Sequence, residues 1–282
     1  MRPAAAVVVA ASLLGSPAPA APRDARLAGV ETFALALGAP AHDAALPERL
    51  ARFDLVVLDG HDTPTELIDG LKARGVLVLG YLSIGTIESG RPWSKAARPY
   101  RLDYWEDWGE WYADVGDPEF RSLVTGTIAP ALLDRGFDGL FLDNLDMIAE
   151  HPARRDGMID LVHELGALVD QRGGLLFAQN GEDVIDPMLD ALDGWNREDV
   201  TATYDFDQRR YGLQPREARL GAQAALRRIA DRGLLVTATD YTARNDRTGV
   251  ARAIANACAA GAVPYVSDIE LNRVPDVPAS CG

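Results

Sequence analysis

Cysteine, histidine and lysine are scarce in this chain. Its 282 residues include two cysteines and four histidines, and lysine occurs only at Lys72 and Lys95. Neither Cys258 nor Cys281 stands at the end of an apolar run, so no cysteine nucleophile is on offer. His42, His61, His151 and His163 have no partners at zinc-ligand spacing, and no metal or cofactor is expected. A Gly-x-Ser-x-Gly elbow is missing, which excludes the serine nucleophile of that motif. No Gly-rich phosphate turn follows the first apolar run, which weakens an open dinucleotide-binding sheet. Positive charge is short as well: 28 Lys and Arg face 42 Asp and Glu, for a net charge of -14. That balance argues against nucleic acid and anionic membranes as partners and is compatible with a cationic substrate.

Long apolar stretches are also lacking, and a membrane span is not expected. The N-terminus has a leader pattern: Arg2, a short apolar run over 4–14, and the small residues Ala18-Pro19-Ala20. A signal peptide over 1–20 is expected, with cleavage near Ala20 and a secreted or periplasmic product. Residues 21–282 would form one domain, expected to be a monomer. In an oxidising compartment Cys258 and Cys281 can pair, tying the C-terminal tail to the last helix.

What the chain does have is eight apolar runs of strand length, at 31–38, 53–60, 76–85, 137–144, 175–181, 192–199, 234–241 and 262–268. Helical periodicity separates most of them, over 63–74, 118–135, 155–171, 215–231 and 248–260. Thr63 with Glu66 suggests a capping box, and Asp117 a cap for the following helix. Strands alternating with helices predict a parallel sheet, and eight of them predict a closed (β/α)8 TIM barrel. The connection 86–136 is far longer than a usual crossover. It carries Trp93, Tyr100, Tyr104, Trp105, Trp108, Trp111 and Tyr112. Such an aromatic-rich insertion after the third strand suits both a cleft for a ring-shaped ligand and a small packing core, and both roles are expected.

In a barrel, the C-terminal ends of the strands converge on the face where chemistry sits. Here they are polar: Asp59-Gly60-His61-Asp62; Tyr81 and Ser83 with Glu88 and Arg91 beyond; Asp143-Asn144 with Asp146; Gln179-Asn180; Glu198-Asp199; Asp240-Tyr241; Ser267-Asp268. Acids without cysteine, serine elbow or metal cluster suit glycosidic cleavage. One carboxylic acid protonates the leaving oxygen while a second carboxylate attacks the anomeric carbon or activates water. Asp143 and Glu198 are the best-placed pair, with Asp199 the alternative to Glu198.

Several of these pieces in order resemble glycoside hydrolase family 114, the endo-α-1,4-polygalactosaminidase family. They are Tyr81-Leu82-Ser83-Ile84-Gly85, Glu88, Arg91-Pro92, Trp111-Tyr112, Asp117-Pro118-Glu119, Gly136-Phe137-Asp138-Gly139, Leu142-Asp143-Asn144, Asp146, Asn180, Glu198, Asp240-Tyr241 and Pro264-Tyr265-Val266-Ser267-Asp268. The resemblance implies an exported (β/α)8 enzyme that cleaves α-1,4-linked galactosamine-containing polysaccharide, with Asp143 as nucleophile and Glu198 as general acid/base. Asp59, Tyr81, Ser83, Glu88, Arg91, Asn144, Asp146, Asn180, Asp240, Tyr241 and Asp268 are the candidate substrate contacts. A cationic amino sugar would meet an acidic rim favourably. Two other readings stay open at this point: a barrel that binds saccharide without cutting it, and a metal-assisted deacetylase built on Asp59, His61 and Asp62.

Overall fold

All eight apolar runs form strands: β1 Phe33–Leu35, β2 Leu55–Asp59, β3 Leu77–Ser83, β4 Gly139–Asp143, β5 Leu175–Gln179, β6 Gly194–Glu198, β7 Leu235–Tyr241 and β8 Val263–Ser267. The computed structural model describes residues 21–40 and 43–282, so the expected leader and His42 lie outside the described residues. Neighbouring strands pair in sequence order from β1 to β8, and every pair is parallel. β1 and β8 meet at the remaining edge through side chains, with the Phe33 and Tyr265 rings edge to face at 6.0 Å. The result is a nearly closed (β/α)8 barrel.

Side chains alternate along each strand, and the alternation decides what reaches the site. Phe141 and Phe177 are fully buried and belong to one apolar cluster, with Leu79 and Tyr265. Leu140, Leu142, Leu176, Ala178, Trp195, Val236 and Ala238 belong to another, shared with the helices. Burying a ring such as Phe141 or Phe177 contributes about 1.5–3 kcal/mol. One pleat beyond Leu79, Phe141 and Phe177, on the same side, stand Tyr81, Asp143 and Gln179.

The helices fill the connections. Arg155–Gln171 matches its expected bounds, and Arg216–Ala230 and Arg247–Ala259 fall within a residue or two of theirs. Asp117 caps the next helix as expected, its carboxylate accepting from the Glu119 N–H at 2.8 Å. The expected capping box at Thr63 is absent: Pro64 occupies the cap of Thr65–Lys72, and no side chain bonds there. The stretch predicted as one helix over 118–135 is broken into Pro118–Leu123, a π-helical turn Val124–Ile128, and Ala129–Leu133. Pro130 lies just after the turn and has no N–H to continue the ladder.

The long insertion builds its own small sheet, with Glu110–Ala113 between Thr86–Ile87 and Arg101–Trp105. A second hairpin, Ala202–Asp205 with Arg210–Leu213, follows β6 and had no clear signal in the sequence. Cys258 and Cys281 are bridged, with Cα atoms 5.3 Å apart, which pins the tail to the last helix. No described helix is long and apolar enough to cross a membrane.

Candidate active site

At the C-terminal ends of the strands lies a cavity of about 210 Å³. Asp143, Glu198, Tyr81, Asn144, Asp146, Gln179, Asn180 and Tyr241 line it from the barrel, with Glu110, Trp105 and Trp108 from the insertion. Leu37 and the segment Ile269, Glu270 and Leu271 complete the wall.

Asp143 ends β4 and is held by three donors. Tyr81 Oη donates to its Oδ2 at 2.7 Å, Gln179 Nε2 to its Oδ1 at 3.0 Å, and the Asn144 N–H to Oδ1 at 2.7 Å. Burial pushes the Asp143 carboxyl above its ordinary range, and these three bonds work against that shift. The Tyr81 phenol is itself raised well above its usual value, first by burial and then by the charges of Asp143 and Glu88. It therefore remains a donor. Asn144 adopts a left-handed backbone at φ 62°, which turns its amide down onto Ser83 Oγ at 2.9 Å. Gly85 is required at this point: a Cβ there would stand 1.8 Å from the Asn144 carbonyl oxygen.

Glu198 ends β6 among other acids. Burial raises its carboxyl well above the ordinary range, and the charges of Asp143, Asp199 and Asp146 raise it further. Asn180 Nδ2 donates to its Oε2 at 2.8 Å and opposes the shift, and Tyr241 Oη donates to Oε1. Asn180 is also left-handed, at φ 56°, and its Oδ1 accepts from the Glu198 N–H at 3.0 Å. Between the two candidates for the second carboxylate, Glu198 lines the cavity and Asp199 does not. Asp199 is the next residue and has a left-handed backbone at φ 54°; its carboxyl is raised to about 6 by burial.

Two further acids face the cavity. Asp146 sits at the mouth, and its carboxyl is held up to about 6 by desolvation and the Asp143 charge. Glu110 comes from the insertion, accepts from Thr86 Oγ1 at 2.5 Å, and is raised to about 7, mainly by burial. Glu110 lies outside the strand ends, and nothing local in the sequence singles it out. Gln179, named above as a polar strand end but not among the candidate contacts, also lines the cavity.

The other sequence candidates sit around the cavity, outside its wall. Arg91 grips Asp59 with both guanidinium nitrogens, at 2.9 and 2.7 Å, and Glu88 at 2.5 Å. Asp59 also accepts from the His61 and Asp62 N–H groups, so its lone pairs are already committed where a metal would have to bind. Among the described residues, no three His, Cys, Asp or Glu side chains form a group that could hold a metal ion. Ser83 is buried beneath Asn144 and bonded to Thr86. Asp240 is buried and faces away from the cavity, accepting from the Thr201 and Ala202 N–H groups at 2.6 and 2.7 Å. It lies one residue out of phase with Tyr241 and Thr239. Asp268 accepts from the Asn272 N–H and closes its own turn.

The aromatics of the insertion divide between the two expected roles. Trp105 and Trp108 line the cavity, while Trp93, Tyr100, Trp111 and Tyr112 pack on the core. Tyr112 stacks on Trp105 at 5.4 Å, and Trp108 meets Phe206 of the second hairpin at 5.3 Å.

Comparison with known proteins bears on this arrangement. The model of glycoside-hydrolase family GH114 matches residues 15–281. An uncharacterized protein of Deinococcus radiodurans is 28% identical over 238 residues, 79% of this chain and 75% of that one. The glycoside hydrolase domain of PelA from Pseudomonas aeruginosa superposes with a TM-score of 0.76 at 22% identity, over 89% of this chain and 99% of that domain. Ega3 of Aspergillus fumigatus, solved in complex with galactosamine, superposes at 0.70 with 18% identity, over 89% and 95% of the two chains. At such identities the two superpositions speak for the shared barrel.

Proposed function

The chain belongs to glycoside-hydrolase family GH114, and on that premise we propose that it is an endo-acting enzyme cleaving α-1,4-linked galactosamine-containing polysaccharide. The observation that carries the reading is the contrast between the two carboxylates. Asp143 receives three hydrogen bonds that favour its ionised form, whereas Glu198 is buried among three acids that favour its protonated form. A pair of acids pushed apart in this way divides the work of glycosidic cleavage. Asp143 attacks the anomeric carbon while Glu198 gives its proton to the departing glycosidic oxygen, leaving a glycosyl ester on Asp143. Glu198, now ionised, takes a proton from water. That water cleaves the ester and regenerates both groups.

The galactosamine in the Ega3 complex supports an amino sugar as the substrate unit. Glu110 and Asp146 offer carboxylates to its ammonium group, and Trp105 and Trp108 offer flat apolar faces to the rings. The pattern of residues 1–20 supports export, which would bring the enzyme to such a polymer.

The test is cleavage of partly deacetylated galactosamine-containing polymer by the purified protein, with the anomeric configuration of the first product followed by NMR. Asp143→Asn and Glu198→Gln should each lower kcat by about 10³-fold or more while leaving the fold intact. Binding without cleavage by the wild-type protein would replace this reading with that of a saccharide-binding barrel. An inverted first product would remove Asp143 from the nucleophile's role.

A further inference from the structure

Beneath Asp143 a chain of buried polar side chains leads away from its Gln179 donor. Asn196 on β6 has no solvent exposure, and neither do Thr237 and Thr239 on β7. Both threonine hydroxyls converge on one end of the Asn196 amide, with Thr237 Oγ1 donating to Oδ1 at 2.8 Å and Thr239 Oγ1 at 3.1 Å. The other end, Nδ2, donates to Gln179 Oε1 at 2.9 Å. Gln179, also buried, passes its own Nε2 to Asp143 Oδ1 at 3.0 Å.

The chain has a direction. An amide offers an acceptor at one end and donors at the other, so reversing Asn196 would force Gln179 to reverse. A reversed Gln179 would turn its carbonyl oxygen onto the Asp143 carboxylate. With both hydroxyls donating to the Asn196 oxygen, the row runs in the orientation that ends with an N–H on Asp143. The row is buried, so each group is costly to leave unpaired, and a lost partner disturbs the next group along.

Resting on the reading of Asp143 as nucleophile, we propose that Asn196, together with Thr237 and Thr239, is a positioning residue that keeps the Gln179 donor on Asp143 and so keeps that carboxylate ionised for attack. Asp143 needs this support because most charges around it oppose ionisation. Glu198 faces it from β6, Asp146 from the turn after β4, and Glu110 from the insertion, with Glu88 behind Tyr81 after β3. The guanidinium groups nearby are already engaged, Arg91 by Asp59 and Glu88 and Arg197 by Glu182.

The test is a set of shape-conserving variants read by their pH profiles. Thr237→Val with Thr239→Val removes both donors to Asn196. Asn196→Asp places an oxygen against Gln179 Oε1 and obliges Gln179 to turn. Each should move the acid limb of kcat/KM upward by about one pH unit and lower kcat roughly tenfold or more, with little change in KM. Thr239→Ser keeps a hydroxyl and should restore the wild-type limb. The single Thr→Val variants, each expected to give part of the shift, serve if the double variant does not fold. An acid limb that stays in place in the folded variants overturns the proposal. Asp143→Asn in the same assay separates the two readings. If it is inactive while the limbs stay put, only the positioning role fails; if it is active, the assignment of Asp143 fails first.

Discussion

Tyr81 Oη donates to Asp143 Oδ2 at 2.7 Å, so a side chain of β3 holds the carboxylate that ends β4. Parallel register makes this possible: Tyr81 pairs with Phe141, one inward position before Asp143. A hydrogen bond to a charged group is worth about 1.5–3 kcal/mol. Tyr81→Phe should therefore lower kcat by roughly 10- to 100-fold and raise the acid limb of the pH profile. Steady-state kinetics across pH check this, and an unchanged limb would show that the phenol does not stabilise the ionised form.

The two carboxylates predict a bell-shaped profile. Glu198 must be protonated, and its raised carboxyl loses the proton only as pH rises well above the usual carboxylate range. Asp143 must be ionised, so the rate falls as pH drops through its value. Tyr241 Oη donates to Glu198 Oε1 and favours the ionised form. Tyr241→Phe should shift the alkaline limb upward by about half to one pH unit. A downward shift would mean that the phenol acts on some other group.

Glu110 and Asp146 are raised to about 7 and about 6, mainly by burial. Each becomes an anion above its own value and a neutral acid below it. Between pH 8 and pH 5.5, the KM for galactosamine oligomers should rise roughly five- to tenfold, the scale of a partly exposed ion pair. N-acetylated oligomers carry no ammonium and should show no such rise. Glu110→Gln should flatten the upper part of the dependence. Equal pH dependence for both substrates would dismiss these acids as ammonium contacts.

Asp240 makes a prediction about stability. Burial raises its carboxyl to about 6, against bonds from the Ala202 and Thr201 N–H groups. Such a group binds its proton more tightly in the folded than in the unfolded chain, whose value is about 3.9. Stability therefore falls as pH rises from about 4 to about 6, by on the order of 2 kcal/mol. Asp240→Asn keeps an oxygen for Thr201 and Ala202 and removes the charge. It should raise Tm by a few degrees at pH 7, give no gain at pH 4, and leave cleavage intact. Thermal denaturation at the two pH values checks the first two, and loss of cleavage would mean that Asp240 acts in the site after all.

Much of the barrel was legible because each strand is a short apolar run closed by a polar or glycine end. The legible part of the site was the set of strand ends: Asp143, Asn144, Asn180, Glu198 and Tyr241 all reach the cavity wall. The illegible part has two causes. A strand buried on both faces carries no polar alternation, so nothing local says which of Asp240 and Tyr241, or of Glu198 and Asp199, points inward. Long connections fold back by paths that no local pattern encodes. Glu110 reaches the cavity, and Arg91 reaches Asp59, only because the insertion folds over the rim.

The eight strands, the long aromatic insertion after the third, and the acids at the strand ends can be read from the chain, because run length, glycine boundaries and turn residues are local properties. The side each acid faces, the three donors gathered on Asp143, and the acids crowded around Glu198 come only from the folded arrangement. Those depend on register and closure of the barrel, which bring together side chains far apart in the chain, from Tyr81 to Tyr241, and divide two otherwise similar carboxyls into different environments.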